Sequence, residues 1–424
     1  MLGGRAESDG DIDLCLTEST MPLPHACPNK PANANVKTTS NAPNLPDIGL
    51  NQSEDCILVL QGGGALGAYQ AGVFESLSTA YREPTWVAGI SIGAINAALI
   101  AGNPANKRVT RLHEFWELVS SSVATPIFGS RLGGRDLLNE ASAAQALVFG
   151  VPGFFSPRVP PAPFQPRGTL AAISFYDTAP LQATLERLID FKLLNSGSVR
   201  LSVGAVNVRS GNFEYFDSTK ITLDARHIMA SGALPPGFPP IEIDGEYYWD
   251  GGLVSNTPLQ YVLDQPGKLR RVVFQVDLFP AVGALPATLD EVTEREKDIR
   301  FSSRTRLNTT NELDRQVIAQ AAKRLIAKLP PELQDDPDVI ALASMRAEAA
   351  VDVVHLIYRS KHYETQSKDY EFSRLSMHEH WTAGRTDTAH TLHDSRWVNR
   401  DRTATGVHVF DLASGHPTAT ELVP

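Results

Sequence analysis

Ser91 stands in Gly89-Ile90-Ser91-Ile92-Gly93, a G-x-S-x-G pentapeptide. That spacing puts a serine on a sharp strand-to-helix turn, with small neighbours that let the backbone turn and a substrate approach the hydroxyl. A serine hydroxyl is a weak nucleophile and needs a base within hydrogen-bond reach. Two kinds of base are on offer. The Ser, Asp/Glu, His order of α/β-hydrolases would draw on His355, His362, His378, His380, His390 or His393, which all lie in a differently composed C-terminal stretch. The other candidate is Asp250, followed by Gly251 and Gly252, which leave room for the Ser91 turn to come close. An aspartate with its ordinary pKa of about 3.9 is a poor base at neutral pH, so Asp250 would need partial burial. Taken alone, an Asp-Gly pair is more often a plain turn.

Upstream, Gln61-Gly62-Gly63-Gly64-Ala65-Leu66-Gly67 follows the apolar run Ile57-Leu58-Val59-Leu60. Backbone N–H groups of such a loop, at the start of a helix, form a ready site for negative charge. One reading is a phosphate-binding turn, since Gly62, Gly64 and Gly67 fit G-x-G-x-x-G and Glu83 lies near the place where that fingerprint expects an acid. The other is an oxyanion hole serving Ser91. A tight turn merely packed on a sheet is the third, and the serine motif close behind argues against it.

The elements needed to carry these groups are legible as alternating strands and helices. Residues 57–60, 86–88, 199–208, 213–216, 247–249 and 271–277 read as strands, and 68–77, 94–102, 178–194 and 227–233 as helices, with a further helix after Pro104 whose apolar face is Val109, Leu112, Phe115, Trp116 and Val119. This pattern predicts an α/β fold with a parallel sheet covered on both faces. Residues 124–168 are rich in Pro and Gly and read as a long irregular loop, in which Phe154, Phe155 and Phe164 could equally line an acyl pocket, touch a membrane or anchor the core. A Pro/Gly/Ala linker at 280–286 precedes a change of character: a helical stretch at 308–329, a strand at 351–358 and a polar, His-rich end. The expected layout is a disordered tail at 1–54, a domain carrying the serine and glycine motifs at 55–285 and an accessory domain at 286–424.

Composition sets the outer bounds. The 424 residues are 42% hydrophobic and 20% charged, as in an ordinary globular protein, and the net charge of −10 argues against a nucleic-acid partner. Cys15, Cys27 and Cys56 are too few for a disulfide framework, and no apolar run reaches membrane-spanning length. The acidic start (Glu7, Asp9, Asp11, Asp13) is unlike a secretory signal. A cytoplasmic protein, at most peripheral to a membrane, is the expectation. No metal or cofactor is expected: His378, Glu379 and His380 suggest a metal, but histidines two apart on a helix face different ways.

Four pieces occur in order: Gly62 to Gly67, Gly89 to Gly93, Ala230-Ser231-Gly232-Ala233-Leu234-Pro235-Pro236, and Asp250-Gly251-Gly252. Together they resemble the patatin-like phospholipase family over Cys56 to Asp277. The resemblance implies a three-layer α/β sandwich with a mostly parallel central sheet, joined here to a smaller, mostly helical C-terminal region. It implies a Ser-Asp dyad without a catalytic histidine, with Ser91 as nucleophile, Asp250 as general base, Gly62, Gly63 and Gly64 lining the oxyanion hole, and Gly67, Gly89, Gly93, Gly251 and Gly252 supporting the motifs. It also implies hydrolysis of acyl esters of lipids. A non-lipid esterase or thioesterase acting on hydroxyacyl metabolites, and a regulatory protein that binds nucleotide at the glycine loop, stay open as alternatives. Plant members tend to carry Asp before the glycines and a basic residue before the last one, where this chain has Gln61 and Leu66. The C-terminal stretch, with Ser367 to Arg374 and His378-Glu379-His380-Trp381, resembles a domain appended to such cores in some bacterial proteins.

Overall fold

The computed structural model describes residues 54–121, 134–265, 270–333, 335–343, 350–361, 363–402, 404 and 406–412. The tail expected at the N-terminus lies outside them, apart from Glu54, and so does His362. In chain order the elements begin with β1 (Glu54–Leu60), α1 (Gly67–Ala80), β2 (Trp86–Gly89), α2 (Ile92–Ala101) and α3 (Ala105–Val119). Next come α4 (Arg135–Phe149), β3 (Ser156–Pro157), β4 (Tyr176–Asp177), α5 (Ala179–Leu188), α6 (Phe191–Leu194), β5 (Arg200–Asn207), β6 (Phe213–Asp217) and α7 (Ala225–Ser231). After them run β7 (Ile241–Ile243), β8 (Glu246–Asp250), α8 (Leu259–Asp264), β9 (Arg270–Asp277) and α9 (Leu289–Ile326). The remainder is α10 (Pro337–Ala343), β10 (Ala350–Ile357), α11 (Arg374–His393), α12 (Ser395–Val398) and β11 (Gly406–Asp411).

Nine strands form one sheet in the order β11-β10-β9-β1-β2-β5-β8-β7, with β6 also paired to β5. From β11 to β5 the pairing is parallel, and β6, β7 and β8 close the far side antiparallel. The near-continuous apolar strands follow from burial on both faces. In β1, Cys56, Leu58 and Leu60 enter the larger core beneath α1, α2 and α11, while Ile57 and Val59 face the smaller one with Leu259 and Val262 of α8. The expected three-layer α/β sandwich with a mostly parallel sheet is the observed architecture.

Three local expectations change. The helix expected over 178–194 breaks at Ile189, an extended residue, into α5 and α6. Part of the expected irregular loop is the 15-residue helix α4. The helix expected from Asn308 starts at Leu289, where the Thr288 hydroxyl caps it by accepting from the Glu291 amide.

The region after residue 285 is mostly helical, yet it also supplies β10 and β11. β10 pairs with β9 from Ala350 opposite Arg270 to Ile357 opposite Asp277. The described residues on the two sides of residue 285 thus share one continuous sheet. The physical reason is the edge of β9: without β10 its buried Val272, Val273 and Phe274 would meet water and its ladder groups would lack partners.

Candidate active site

β5 brings the serine and the aspartate together. Its residues Arg200–Val203 pair with β2, whose Gly89 lies opposite Val203, and its Ala205–Asn207 pair with β8, whose Asp250 lies opposite Ala205. β6 runs along Ser202–Val206 and must take the other edge, so β2 and β8 share one edge end to end. The turn leaving β2 therefore meets the last residue of β8. Gly204 marks the junction: a Cβ on Gly251 would fall 2.6 Å from the Gly204 carbonyl oxygen.

Ser91 precedes α2 with φ 55° and ψ −125°, a conformation that side-chain-bearing residues rarely take. Its amide donates to Ser231 Oγ (3.1 Å), and that hydroxyl donates to the Gly204 carbonyl (2.6 Å). The flanking glycines are required by crowding. A Cβ on Gly89 would sit 2.2 Å from the Gly93 oxygen, and one on Gly93 would sit 2.4 Å from the Leu60 oxygen.

Asp250 is buried, accepts from the Gly252 amide (2.7 Å) and lines the same cavity as Ser91. Burial disfavours its charged form and pushes its carboxyl up to about 6, against the opposing pull of the nearby Ser91 hydroxyl and the Gly252 amide. The condition that the sequence placed on Asp250 as a base is thereby met.

The glycine loop faces the same spot. A Cβ on Gly62 would lie 3.0 Å from Ser91 Cβ. The Gly62 amide is already given to the Asn256 carbonyl (3.1 Å), and Asn256 Nδ2 returns a bond to the Gly62 carbonyl (2.9 Å). Gly62 thus lines the pocket as a spacer, while the N–H groups of Gly63 and Gly64 donate to no protein acceptor among the described residues. Gly67 opens α1 against Ile92 and Trp116. Gln61, in the place of the plant aspartate, is fully buried. Its amide donates to Thr257 Oγ1 (3.0 Å) and the Phe301 carbonyl (3.2 Å), and its Oε1 accepts from the Leu278 and Phe279 amides.

Ser91, Asp250 and the three loop glycines open on one cavity of about 300 Å³. Its walls include Ile95, Leu181, Phe154, Phe155, Phe238 and Phe279, joined by Phe301, Tyr370 and Phe372 from beyond residue 285. Of the aromatics left open, Phe154 and Phe155 are buried wall residues, whereas Phe164 is 78% exposed and away from the cavity. No described histidine lines it. His355 is half-buried in β10, and His380 in α11 pairs with Glu364 (2.9 Å). His378 is exposed, on a different face from His380. Glu83, which a phosphate fingerprint would set beside the loop, precedes β2 at the opposite end of the sheet and pairs with Arg108 of α3.

A family model described as patatin-like phospholipase matches residues 58–263, and one described as patatin phospholipase (DUF3734) matches 299–404. The chain belongs to the patatin-like phospholipase family. Among curated relatives, it is 24% identical over 234 residues to a cGAMP-activated phospholipase of Vibrio cholerae, a match covering 51% of this chain and 59% of the relative's length. Solved structures with some likeness include human GIVD cytosolic phospholipase A2 (12% identity, 81% of this chain and 60% of that one, TM-score 0.37). VipD from Legionella pneumophila is another (15% identity, 78% and 67%, TM-score 0.30). Within this patatin-like core, sequence reasoning missed the supports Ser231 and Asn256. Ser231 lies inside a quoted motif, but its partners Ser91 and Gly204 are far from it in the chain, so its task shows only in three dimensions.

Proposed function

We propose that the protein is a serine acyl hydrolase of the phospholipase A or esterase type, cleaving carboxylic esters of lipids through a Ser91–Asp250 dyad. The observation that carries this reading is the buried Asp250 carboxylate brought together with Ser91 in the wall of one apolar cavity. Ser91 Oγ attacks the ester carbonyl as its proton passes to Asp250. The negative oxygen that develops takes the free N–H groups of Gly63 and Gly64, which are preorganised for it. Asp250 returns the proton to the departing alkoxide, and water, activated in the same way, releases the acyl group from Ser91.

The cavity walls suit an acyl chain, which favours a lipid over a compact polar ester. Leu147 and Leu234 line its mouth and stay partly exposed beside the exposed Val148 and Phe149. This apolar rim fits peripheral contact with a lipid surface. No helix among the described residues is long and apolar enough to cross a membrane.

Ser91→Ala and Asp250→Asn are each expected to lower hydrolysis of p-nitrophenyl butyrate by at least about 10³-fold. His380→Ala is expected to keep most of it. A fluorophosphonate probe is expected to label Ser91 in the unmodified protein. Absence of labelling and turnover, or a histidine variant as damaged as Ser91→Ala, would overturn the proposal.

A further inference from the structure

The segment 366–372, from beyond the core that carries the dyad, lies against the glycine loop. The Asp369 carbonyl accepts from the Ala65 amide at 2.7 Å. A Cβ on Gly64, which has φ +54°, would fall 2.0 Å from that same oxygen. The peptide group next to the free Gly63 and Gly64 amides is therefore held from outside the loop. Asp369 and Tyr370 also face the cavity.

Two lysines, crossing in opposite directions, tie this segment to α9. The Lys368 side chain is wholly buried, and its ammonium reaches Glu294 and Asp298 of α9 and the Ser360 hydroxyl, each at 2.8 Å. Lys297 of α9 reaches back to Asp369 Oδ1 and the Gln366 carbonyl, each at 2.7 Å. A buried ammonium is costly to desolvate and persists only where its partners are well placed, so the position of residue 368, and of its neighbour Asp369, is narrowly defined. Arg295, between these α9 residues, bonds the Pro280 and Ala281 carbonyls, and that stretch begins just after Phe279, which packs against Gly63. One helical turn of α9 thus braces both sides of the loop.

We infer that Lys368 and Lys297 are positioning residues for the hydrolysis: through Asp369 they fix the Ala65 amide and so keep the Gly63 and Gly64 N–H groups aimed at the oxygen of an ester held by Ser91. The inference rests on the proposed hydrolase reading, and it gives the C-terminal region a task, which is to complete the oxyanion-binding loop of the preceding core.

Full-length Lys297→Met and Lys368→Met are compared with the unmodified chain. The measurements are kcat and KM on p-nitrophenyl butyrate, the fraction of Ser91 titrated by a fluorophosphonate, thermal midpoint, and amide exchange over 62–66. Misplacing a catalytic loop by a fraction of its working tolerance costs about tenfold or more. Both variants are therefore expected to lose about tenfold or more in kcat per titrated serine, with KM within about twofold, and to exchange the Ala65 amide faster. Lys297→Arg is expected to recover most of the kcat, because it keeps a cation on Asp369. Lys297 is partly exposed, so its variant reads out even where Lys368→Met fails to fold. Unchanged kcat per titrated serine and unchanged exchange would overturn the inference, whatever the thermal midpoints do. An unmodified chain that neither turns over nor labels, with exchange still faster in the variants, would instead sink the hydrolase reading and leave the brace standing.

Discussion

Asp250 carries two opposed pH dependences. In the proposed mechanism it acts ionised as the base, so kcat/KM is expected to climb as pH rises through about 6 and to level off above. Its folded pKa lies above the unfolded value of 3.8, so its contribution to stability is fullest below that value and is lost as pH rises through about 6. Asp277, also buried and raised to about 7, adds a loss of the same sign. Asp250→Asn keeps the acceptor for Gly252 without the buried charge. It is expected to be inactive yet more stable near neutral pH, by about 2–3 kcal/mol, with the gain fading toward about pH 4. Thermal melts of both proteins across this range check it, and a gap that does not change with pH would refute the burial argument. Ser91 stood out from its flanking glycines, and Asp250 only from the four motifs taken together, since an Asp-Gly pair alone reads as a turn. Their juxtaposition was not legible, because β5 supplies it by seating β2 and β8 along one edge.

At the scale of elements, α4 was invisible in a stretch read as irregular, since Pro and Gly on both sides of it dominate the composition. Its last turn carries Leu147, Val148 and Phe149, and Phe149 is 75% exposed. Tyr176 of β4 fixes that turn beside the cavity by donating to the Leu147 carbonyl (2.7 Å). Burying one phenylalanine in a lipid surface is worth about 1.5–3 kcal/mol, so Phe149→Asp is expected to weaken partition onto phosphatidylcholine vesicles about tenfold or more. Hydrolysis of a soluble short-chain ester is expected to hold, because Phe149 does not line the cavity. Co-sedimentation and paired assays measure both, and an equal loss on the two substrates would argue against a rim that works at the lipid surface. α11 shows the reverse case. Its histidines drew notice as ligand candidates, yet its packing rests on Gly384, where a Cβ would lie 2.1 Å from the Tyr69 oxygen of α1.

For the whole molecule, one sheet passes through the expected domain boundary. A chain ending at residue 285 keeps Ser91, Asp250 and the glycine loop but loses β10, β11, α9 and α11. That exposes one edge of β9 and the α1 surface under α11, and it removes Phe301 and Phe372 from the cavity. The truncated chain is expected to be insoluble or to unfold without a cooperative transition, and it should label poorly with a fluorophosphonate. A soluble, cooperatively folding and fully active 1–285 fragment would show the C-terminal region to be dispensable.

Local signals suffice for what local physics decides. Apolar runs, helix-forming stretches and glycine turns are set by residues close in the chain, so β1, α1, β2, α2 and the serine turn could be placed from the amino acids alone, as could the parallel α/β class. The four ordered motifs were enough to point to the family. Long-range pairing is a different matter, since its energy depends on partners a hundred or more residues apart that leave no periodic trace. Asp250 acquires its raised pKa only when β8 is laid beside the end of β2. The Gly63 and Gly64 amides have no protein acceptor among the described residues, while Asn256 and Asp369 hold their neighbours Gly62 and Ala65. The region after 285 joins the sheet because β10 pairs along an edge of β9.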